Sequence, residues 1–148
     1  MGKYDIVEVE RNVSLLIAQI RDVIVRSIRE ELRPLDISPI QLAALIFIDS
    51  VGGETTPGKL AAFMAHKPHS VSELLTRMEK AGLVNKQRDQ VKESRVIITM
   101  TEKGHRILSQ ENVKSAQEIM SCLSEEELNQ LSLLLKKLRD KASKINPW

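Results

Sequence analysis

The chain has 148 residues, of which 42% are hydrophobic, 28% charged and only 3% aromatic, and its net charge is +2. This length suits one domain, residues 1–148, and an aliphatic core favours helices. The single cysteine excludes an intrachain disulfide, and no apolar run is long enough to span a membrane. The polar start MGKYDIVEVE lacks the features of a signal peptide. We therefore expect a cytoplasmic protein without a membrane segment.

The first third of the chain predicts two helices. Apolar residues spaced three and four apart form one stripe over residues 7–33, and Pro34 ends it. Ser38-Pro39-Ile40-Gln41 then combines a capping box with proline at the first helical position. A second, buried helix is therefore expected from this point to about Ser50, where Gly52-Gly53 stops it.

Two shorter helices follow. Thr56-Pro57 repeats the start signal and opens a helix that runs through Met64. Pro68 suits the start of the next helix, which ends before Gly82. The segment 70–73, Ser-Val-Ser-Glu, also fits a capping box and would start the same helix two residues later. We prefer the start at Pro68.

The last part of the chain predicts a β-hairpin and two more helices. Between Leu83 and Thr101, the segments LVNKQ and RVIITM flank the polar tip RDQVKES, which is typical of a hairpin. Thr101 caps a helix that continues to Leu123 with imperfect periodicity, and Ser124 opens a capping box for the final helix. The predicted fold is mainly α, with a small β-hairpin.

Residues 56–82 have the pattern of a helix-turn-helix. This motif needs a small residue where its helices cross, a tight turn, and branched apolar anchors on the second helix. Ala61 fits the crossing, Val71 and Leu74 fit the anchors, and Ala65 lies in the turn, where glycine is common.

The second helix of this motif has a polar outer face. Its inward positions are Val71, Leu74, Leu75 and Met78. Residues near its N-terminus are placed to contact bases in the major groove, and later residues are placed to contact phosphates. The expected base contacts are His69, Ser70, Ser72 and Glu73, and the expected phosphate contacts are Thr76, Arg77 and Lys80.

The hairpin adds basic side chains directly after the helix-turn-helix, and this order defines a winged helix. Residues 55–100 contain eight basic and four acidic residues, and they are the most positive part of the chain. DNA binding needs such a local basic surface rather than a basic total. The basic hairpin side chains expected to reach a minor groove are Lys86, Arg88, Lys92 and Arg95, and Ser94 of the same hairpin is also an expected DNA contact.

The segments SVSELLTRMEKAGLV (70–84) and RVIITMTEKG (95–104) resemble the recognition helix, wing strand and return helix of the MarR family of regulators. The resemblance covers nearly the whole chain. It implies a winged helix-turn-helix over residues 38–100 and dimerisation helices over 7–33 and 101–145. It also implies a homodimer on a pseudo-palindromic operator, usually a repressor released by oxidation or by a small ligand bound between the dimer helices and the winged helix.

The wing departs from the family pattern. The family usually has an Asp-x-Arg pair here, and its arginine position aligns with Ser94 in the run Lys92-Glu93-Ser94-Arg95. Arg95 is the expected groove contact, with Glu93 as its substitute partner. This departure and the acidic Glu73 motivate an alternative function, a winged-helix dimer that binds proteins and has lost its DNA contacts.

Other chemistry is weakly indicated. His66, His69 and His105 do not converge as a zinc site requires, so we expect no metal or other cofactor. Cys122 has no adjacent cation to stabilise a thiolate and is expected to be buried. No nucleophile and base pair, acid dyad or phosphate-binding loop is recognisable, so we do not expect an enzyme.

Overall fold

A computed structural model describes residues 6–111 and 113–148, and it is mainly helical with one small antiparallel sheet, which confirms the predicted fold class. The elements in chain order are α1 (Ile6–Leu32), a short 3-10 turn (Arg33–Leu35), α2 (Pro39–Ser50), β1 (Glu54–Thr55), α3 (Pro57–Met64), α4 (Pro68–Lys80), β2 (Val84–Arg88), β3 (Val96–Met100), α5 (Glu102–Gln110), α6 (Ser115–Met120) and α7 (Glu125–Ile145).

Local capping fixes several helix starts where the sequence predicted them. The Ser38 hydroxyl accepts a hydrogen bond from the backbone N–H of Gln41, and the Gln41 side chain accepts one from the N–H of Ser38. Ser124 and Glu127 form the same reciprocal pair at the start of α7. Each box satisfies two backbone donors that a helix start leaves unpaired.

The core lies where α2, α4 and the sheet meet. Leu45 and Ile48 of α2 are fully buried, as are Leu60 of α3 and Ile98 of β3. Burying one such aliphatic side chain contributes roughly 1.5–3 kcal/mol. This core fixes α4 and the hairpin relative to each other.

The sheet has three strands rather than the two predicted. Its order is β1-β3-β2, with Glu54 opposite Thr99 and Thr55 opposite Ile98. The extra strand β1 has only two residues, too few for an alternating pattern to be visible in the sequence. It ties the start of α3 to the base of the hairpin.

The long helix predicted from Thr101 to Leu123 is wrong, because the structure divides it into α5 and α6. Glu111 is extended at the end of α5, and Asn112, inside the predicted helix, lies outside the described residues. The Glu31 carboxylate of α1 accepts hydrogen bonds from the N–H groups of Lys114 and Ser115, at 3.1 Å each. A side chain more than eighty positions away thus caps the start of α6.

The first and last helices leave most of their apolar side chains exposed. Leu32 is the one buried residue of α1, and α7 has none, within the described residues. A groove of about 410 Å³ runs between the two helices, lined by Val13, Ile17, Leu131, Leu134, Leu135, Lys137 and Leu138. In the described part of the chain no helix is long and apolar enough to cross a membrane.

Candidate nucleic-acid interface

Helix α4 separates an apolar inner face from a polar outer face, as its sequence predicted. The four inward positions, Val71, Leu74, Leu75 and Met78, are at most 2% exposed. The seven predicted contact residues all lie on the outer face and are exposed: His69, Ser70, Ser72, Glu73, Thr76, Arg77 and Lys80. The core therefore holds the helix while its polar face stays open to a ligand.

The helix begins at Pro68, which confirms the preferred of the two predicted starts. Lys67 occupies the capping position, and its side chain makes no capping hydrogen bond. The alternative start at Ser70 would have removed His69 from the helix. With the start at Pro68, His69 and Glu73 are one turn apart on the same face.

The turn between α3 and α4 is closed by a left-handed residue. Ala65 has φ 54° and ψ 44°, and the N–H of His66 donates to the carbonyl of Ala61. Ala65 itself donates to the carbonyl of Ala62, so the turn is a Schellman motif. Ala61 is 4% exposed, in agreement with its predicted place at the helix crossing.

His69 and Glu73 lie side by side on the outer face of α4. His69 Nε2 lies 3.3 Å from Glu73 Oε1, and both side chains remain mostly exposed. Together with Ser72, Thr76 and Arg77 they line a shallow depression of about 360 Å³. The polar side chains of the outer face therefore border one open, shallow surface from the first turn of α4 to Arg77.

Lys86 of β2 joins the wing to α4. Its Nζ donates to the Thr76 hydroxyl at 2.9 Å and lies 4.0 Å from a carboxylate oxygen of Glu79, and its side chain is 25% exposed. Glu79 also accepts from the N–H of Lys86 at 3.4 Å. Lys86, predicted as a wing contact, thus lies at the base of the wing. Glu79 was not among the predicted site residues, because its partner is seven residues away on a different element.

The wing tip is closed by Asp89 and Arg95. The N–H of Asp89 donates to the carbonyl of Arg95 at 2.8 Å, and their side chains face each other at 3.8 Å. The predicted pairing of Arg95 with Glu93 is wrong. The backbone hydrogen bond between Asp89 and Arg95 places these two residues opposite each other across the hairpin, so the partner of Arg95 is Asp89. Asp89 was missed, although its side chain accepts from the N–H of Val91, a local turn that a sequence can indicate.

The remaining wing residues predicted to contact DNA are exposed. Arg88 lies at the end of β2, and Lys92 and Ser94 lie in the tip. Arg95 is also exposed, with 46% of its side chain open to solvent. The structure therefore places the basic side chains of the tip on one projecting hairpin beside α4.

The candidate metal and redox residues form no site of their own in the described part of the chain. No group of three or more His, Cys, Asp or Glu side chains that could hold a metal ion occurs within residues 6–111 and 113–148. Cys122 is exposed, so the prediction that it is buried is wrong. Its segment precedes α7, which buries no residue against its own chain.

Comparison with known proteins identifies the fold and the family. Residues 35–92, from the 3-10 turn to the wing tip, match the model of the MarR family. No curated protein sequence matches significantly. The organohalide-sensing transcriptional regulator RdhR, solved with 2,4-dichlorophenol, is 32% identical, with 99% of this chain and 88% of that chain covered and a TM-score of 0.82.

Two structures solved with DNA are also similar. A cysteine-to-serine mutant of MarR from E.coli, complexed with operator DNA, is 25% identical over 86% of this chain and 93% of that chain, with a TM-score of 0.76. The MepR–DNA complex from S. aureus is 24% identical over 88% and 97%, with a TM-score of 0.77, and shows the same fold. The chain belongs to the MarR family of transcriptional regulators.

Proposed function

We propose that the protein is a homodimeric, sequence-specific regulator that binds double-stranded DNA through α4 and the wing. One observation carries this proposal: α4 buries its apolar face in the core and leaves seven polar residues exposed beside a basic hairpin. A recognition helix in the major groove needs this division of faces. The similar MarR structure with operator DNA supports it.

The outer face of α4 divides the expected contacts by their distance from its N-terminus. The first turns of a recognition helix enter the major groove, so the side chains there contact base edges. The later side chains stand nearer the phosphates and hold the register. The proposed base contacts are His69, Ser70, Ser72 and Glu73, and the proposed phosphate contacts are Thr76, Arg77 and Lys80.

The wing contributes the second contact. Exposed cations on a projecting hairpin are suited to a neighbouring minor groove or its phosphates. Arg95 is the principal groove contact, and Arg88, Lys92 and Ser94 contact the backbone around it. Lys86 binds Thr76 and sets the angle between the wing and α4, so its part in DNA binding is to position the wing.

The outer helices form the dimer, with segments 7–33 and 101–145 as the dimerisation regions. Contiguous exposed apolar surface of this kind marks an interaction site. Leu134 and Leu138 of α7 and Val13 and Ile17 of α1 line one groove, which a second copy would cover. The two recognition helices would then reach successive major grooves, about 34 Å apart, on a pseudo-palindromic operator.

We further propose that the protein is a repressor released by a small ligand. A similar regulator was solved both free and with 2,4-dichlorophenol. The ligand site would lie between the dimer helices and the winged helix. A shallow cavity of about 420 Å³ lies at this junction, lined by Arg29 near the end of α1, Arg33 of the 3-10 turn, and Ser38 and Gln41 at the start of α2.

Selection from a random duplex library tests the DNA-binding function. The protein is expected to enrich one short inverted repeat, and its affinity for that repeat should fall steeply between about 50 and 200 mM salt. Enrichment of no sequence at low salt would contradict the proposal. That result would favour the protein-interaction module, for which Glu73 in the recognition helix is the supporting feature.

Sedimentation at several concentrations tests the dimer. Leu138→Glu places a charge in the apolar groove and should shift the protein towards monomer. Ile46→Glu makes the same change at an exposed position of α2, and it should leave the dimer intact. Equal behaviour of the two variants would contradict the proposed interface.

A further inference from the structure

We propose that His69 and Glu73 act as one unit, which presents hydrogen-bond acceptors to the major groove and selects cytosine in each half-site. This inference rests on the proposed DNA-binding function. It concerns which base the surface selects, and it assigns the selection to a pair of side chains rather than to either one alone.

The pair is built by the start of α4. Pro68 opens the helix, so His69 and Glu73 lie in its first two turns, four residues apart and on the same face. His69 Nε2 lies 3.3 Å from Glu73 Oε1, with 85% and 60% of the two side chains exposed. The buried neighbours Val71 and Leu74 fix the orientation of this face. Both side chains are therefore free to meet a base edge together.

When the imidazole is neutral, the contact favours one set of hydrogen-bonding groups for the pair. A carboxylate oxygen beside Nε2 is attractive only if that nitrogen carries the ring proton. In the neutral imidazole the other nitrogen, Nδ1, is then an acceptor. Glu73 keeps its second oxygen, Oε2, as a further acceptor. The unit thus presents two acceptors and no donor to the DNA.

The major groove offers donors on only two bases. Cytosine presents the N4 amino group and adenine the N6 amino group, whereas guanine and thymine present acceptors at these edges. Adenine also carries the N7 acceptor next to its amino group, which repels a carboxylate. Cytosine has only a carbon-bound hydrogen beside N4. An acceptor-only unit therefore favours cytosine.

The negative charge of Glu73 makes this selection stringent. A carboxylate close to the phosphates is repelled by every DNA sequence, and the amino group of a matching base offsets the repulsion. Ser70 and Ser72 cannot replace this function, because a hydroxyl both donates and accepts and so discriminates weakly. His69 contributes its own acceptor, Nδ1, and its contact with Oε1 leaves the second carboxylate oxygen of Glu73 available to a base.

The test compares the sequences selected by three proteins from one random duplex library at about pH 8, where imidazole is neutral. The wild type should select cytosine at one position of each half-site. In Glu73→Gln the amide also donates, as adenine requires, so the preference at that position should change from cytosine to adenine. Lys80→Gln is the matched control, because losing a phosphate contact should lower affinity for all sequences and leave the preferences unchanged.

Binding to defined duplexes makes the test quantitative. Changing the selected C·G pair to T·A should weaken wild-type binding at least about tenfold and Glu73→Gln binding by clearly less. His69→Ala should reduce the wild-type discrimination and keep its direction. A selected repeat whose preferences do not respond to Glu73→Gln would overturn this inference alone. Failure of the wild type to select any sequence would overturn it together with the proposed function.

Discussion

Arg95 Nη1 lies 3.8 Å from Asp89 Oδ2, so the two side chains close the wing tip from opposite sides of the hairpin, directly after β2 and directly before β3. The N–H of Arg95 donates to the carbonyl of Lys92, and the N–H of Asp89 donates to the carbonyl of Arg95. The Asp89 side chain is largely covered, with 16% exposed, whereas that of Arg95 is 46% exposed. Asp89 therefore lies against one side of the guanidinium, and the rest of the Arg95 side chain stays open to solvent.

The Asp89→Asn variant should bind the operator roughly two- to fivefold more weakly than the Glu93→Gln variant does. This is the range expected for the loss of one exposed ion pair. Both changes remove one negative charge from the wing, so the comparison isolates the loss of the contact with Arg95. The asparagine oxygen can still accept from the N–H of Val91, which keeps the local turn. Binding would be measured by fluorescence anisotropy at several salt concentrations.

Arg95→Ala should have the larger effect and should also reduce the slope of affinity against salt by about one unit, as expected for one lost phosphate neutralisation. If Glu93→Gln weakened binding as much as Asp89→Asn, the pairing at the tip would be assigned to the wrong carboxylate.

Ala65→Gly should stabilise the protein by about 0.5–1 kcal/mol. Three helices of this chain end in the same double hydrogen-bonded turn, and its left-handed position is glycine at Gly52 and Gly82 but alanine at Ala65. An L-residue other than glycine is strained there, and glycine removes the strain at some cost in backbone entropy. Urea unfolding at fixed protein concentration measures the change.

Ala62→Gly is the matched control for this prediction. It makes the same substitution at an exposed position of α3, where the helix is right-handed, and should destabilise by about 1 kcal/mol. The prediction fails if Ala65→Gly lowers the free energy of unfolding as Ala62→Gly does.

The features that the sequence predicted well depend on residues close together in the chain. The capping boxes at Ser38 and Ser124 and the faces of α4 each follow from side chains within one or two helical turns. Such interactions form wherever the local sequence allows the helix. The helix starts and the polar face of α4 were therefore predictable.

The features that were missed depend on distant partners. Strand β1 exists because Thr55 pairs with Ile98, and α6 starts where Glu31 caps it. Arg95 contacts Asp89 across the hairpin, which spacing alone could not distinguish from Glu93. Cys122 is exposed, and α7, which follows it, buries no residue against its own chain. None of these contacts leaves a periodic signal in the sequence.

Gly104→Ala should destabilise the protein by about 1–3 kcal/mol, the cost of overpacking a core. A Cβ at this position of α5 would lie 2.6 Å from the carbonyl oxygen of Leu83 and 2.6 Å from Cγ of Met100. Thr101 accepts from the N–H of Gly104 and donates to the carbonyl of Gly82, so the helix start has little room to move.

Gly58→Ala provides the comparison for Gly104→Ala. No atom lies within 4 Å of a Cβ built at Gly58 in α3, so alanine should stabilise by about 0.4–1 kcal/mol through its helix preference and the smaller entropy of the unfolded chain. Urea midpoints of the two variants should therefore move in opposite directions. Equal shifts would show that α5 can move away from the sheet without penalty.

Glu31→Gln should destabilise the protein at neutral pH, and the difference from wild type should shrink in acid. The Ser115 hydroxyl donates to the Glu31 carboxylate, as do the backbone N–H groups of Lys114 and Ser115, and these bonds lower the pKa of Glu31 against an opposing effect of burial. A carboxyl whose pKa is lower in the folded than in the unfolded state, where it is about 4.3, raises the free energy of unfolding at pH values above that unfolded pKa. That stability is lost as the pH falls through the folded value.

Urea midpoints measured from neutral pH into this range should converge for wild type and Glu31→Gln. Glu10→Gln makes the same change at an exposed position near the start of the same helix, and its curve should run parallel to that of wild type. Parallel curves for Glu31→Gln and wild type would mean that the ionised carboxylate does not stabilise the start of α6.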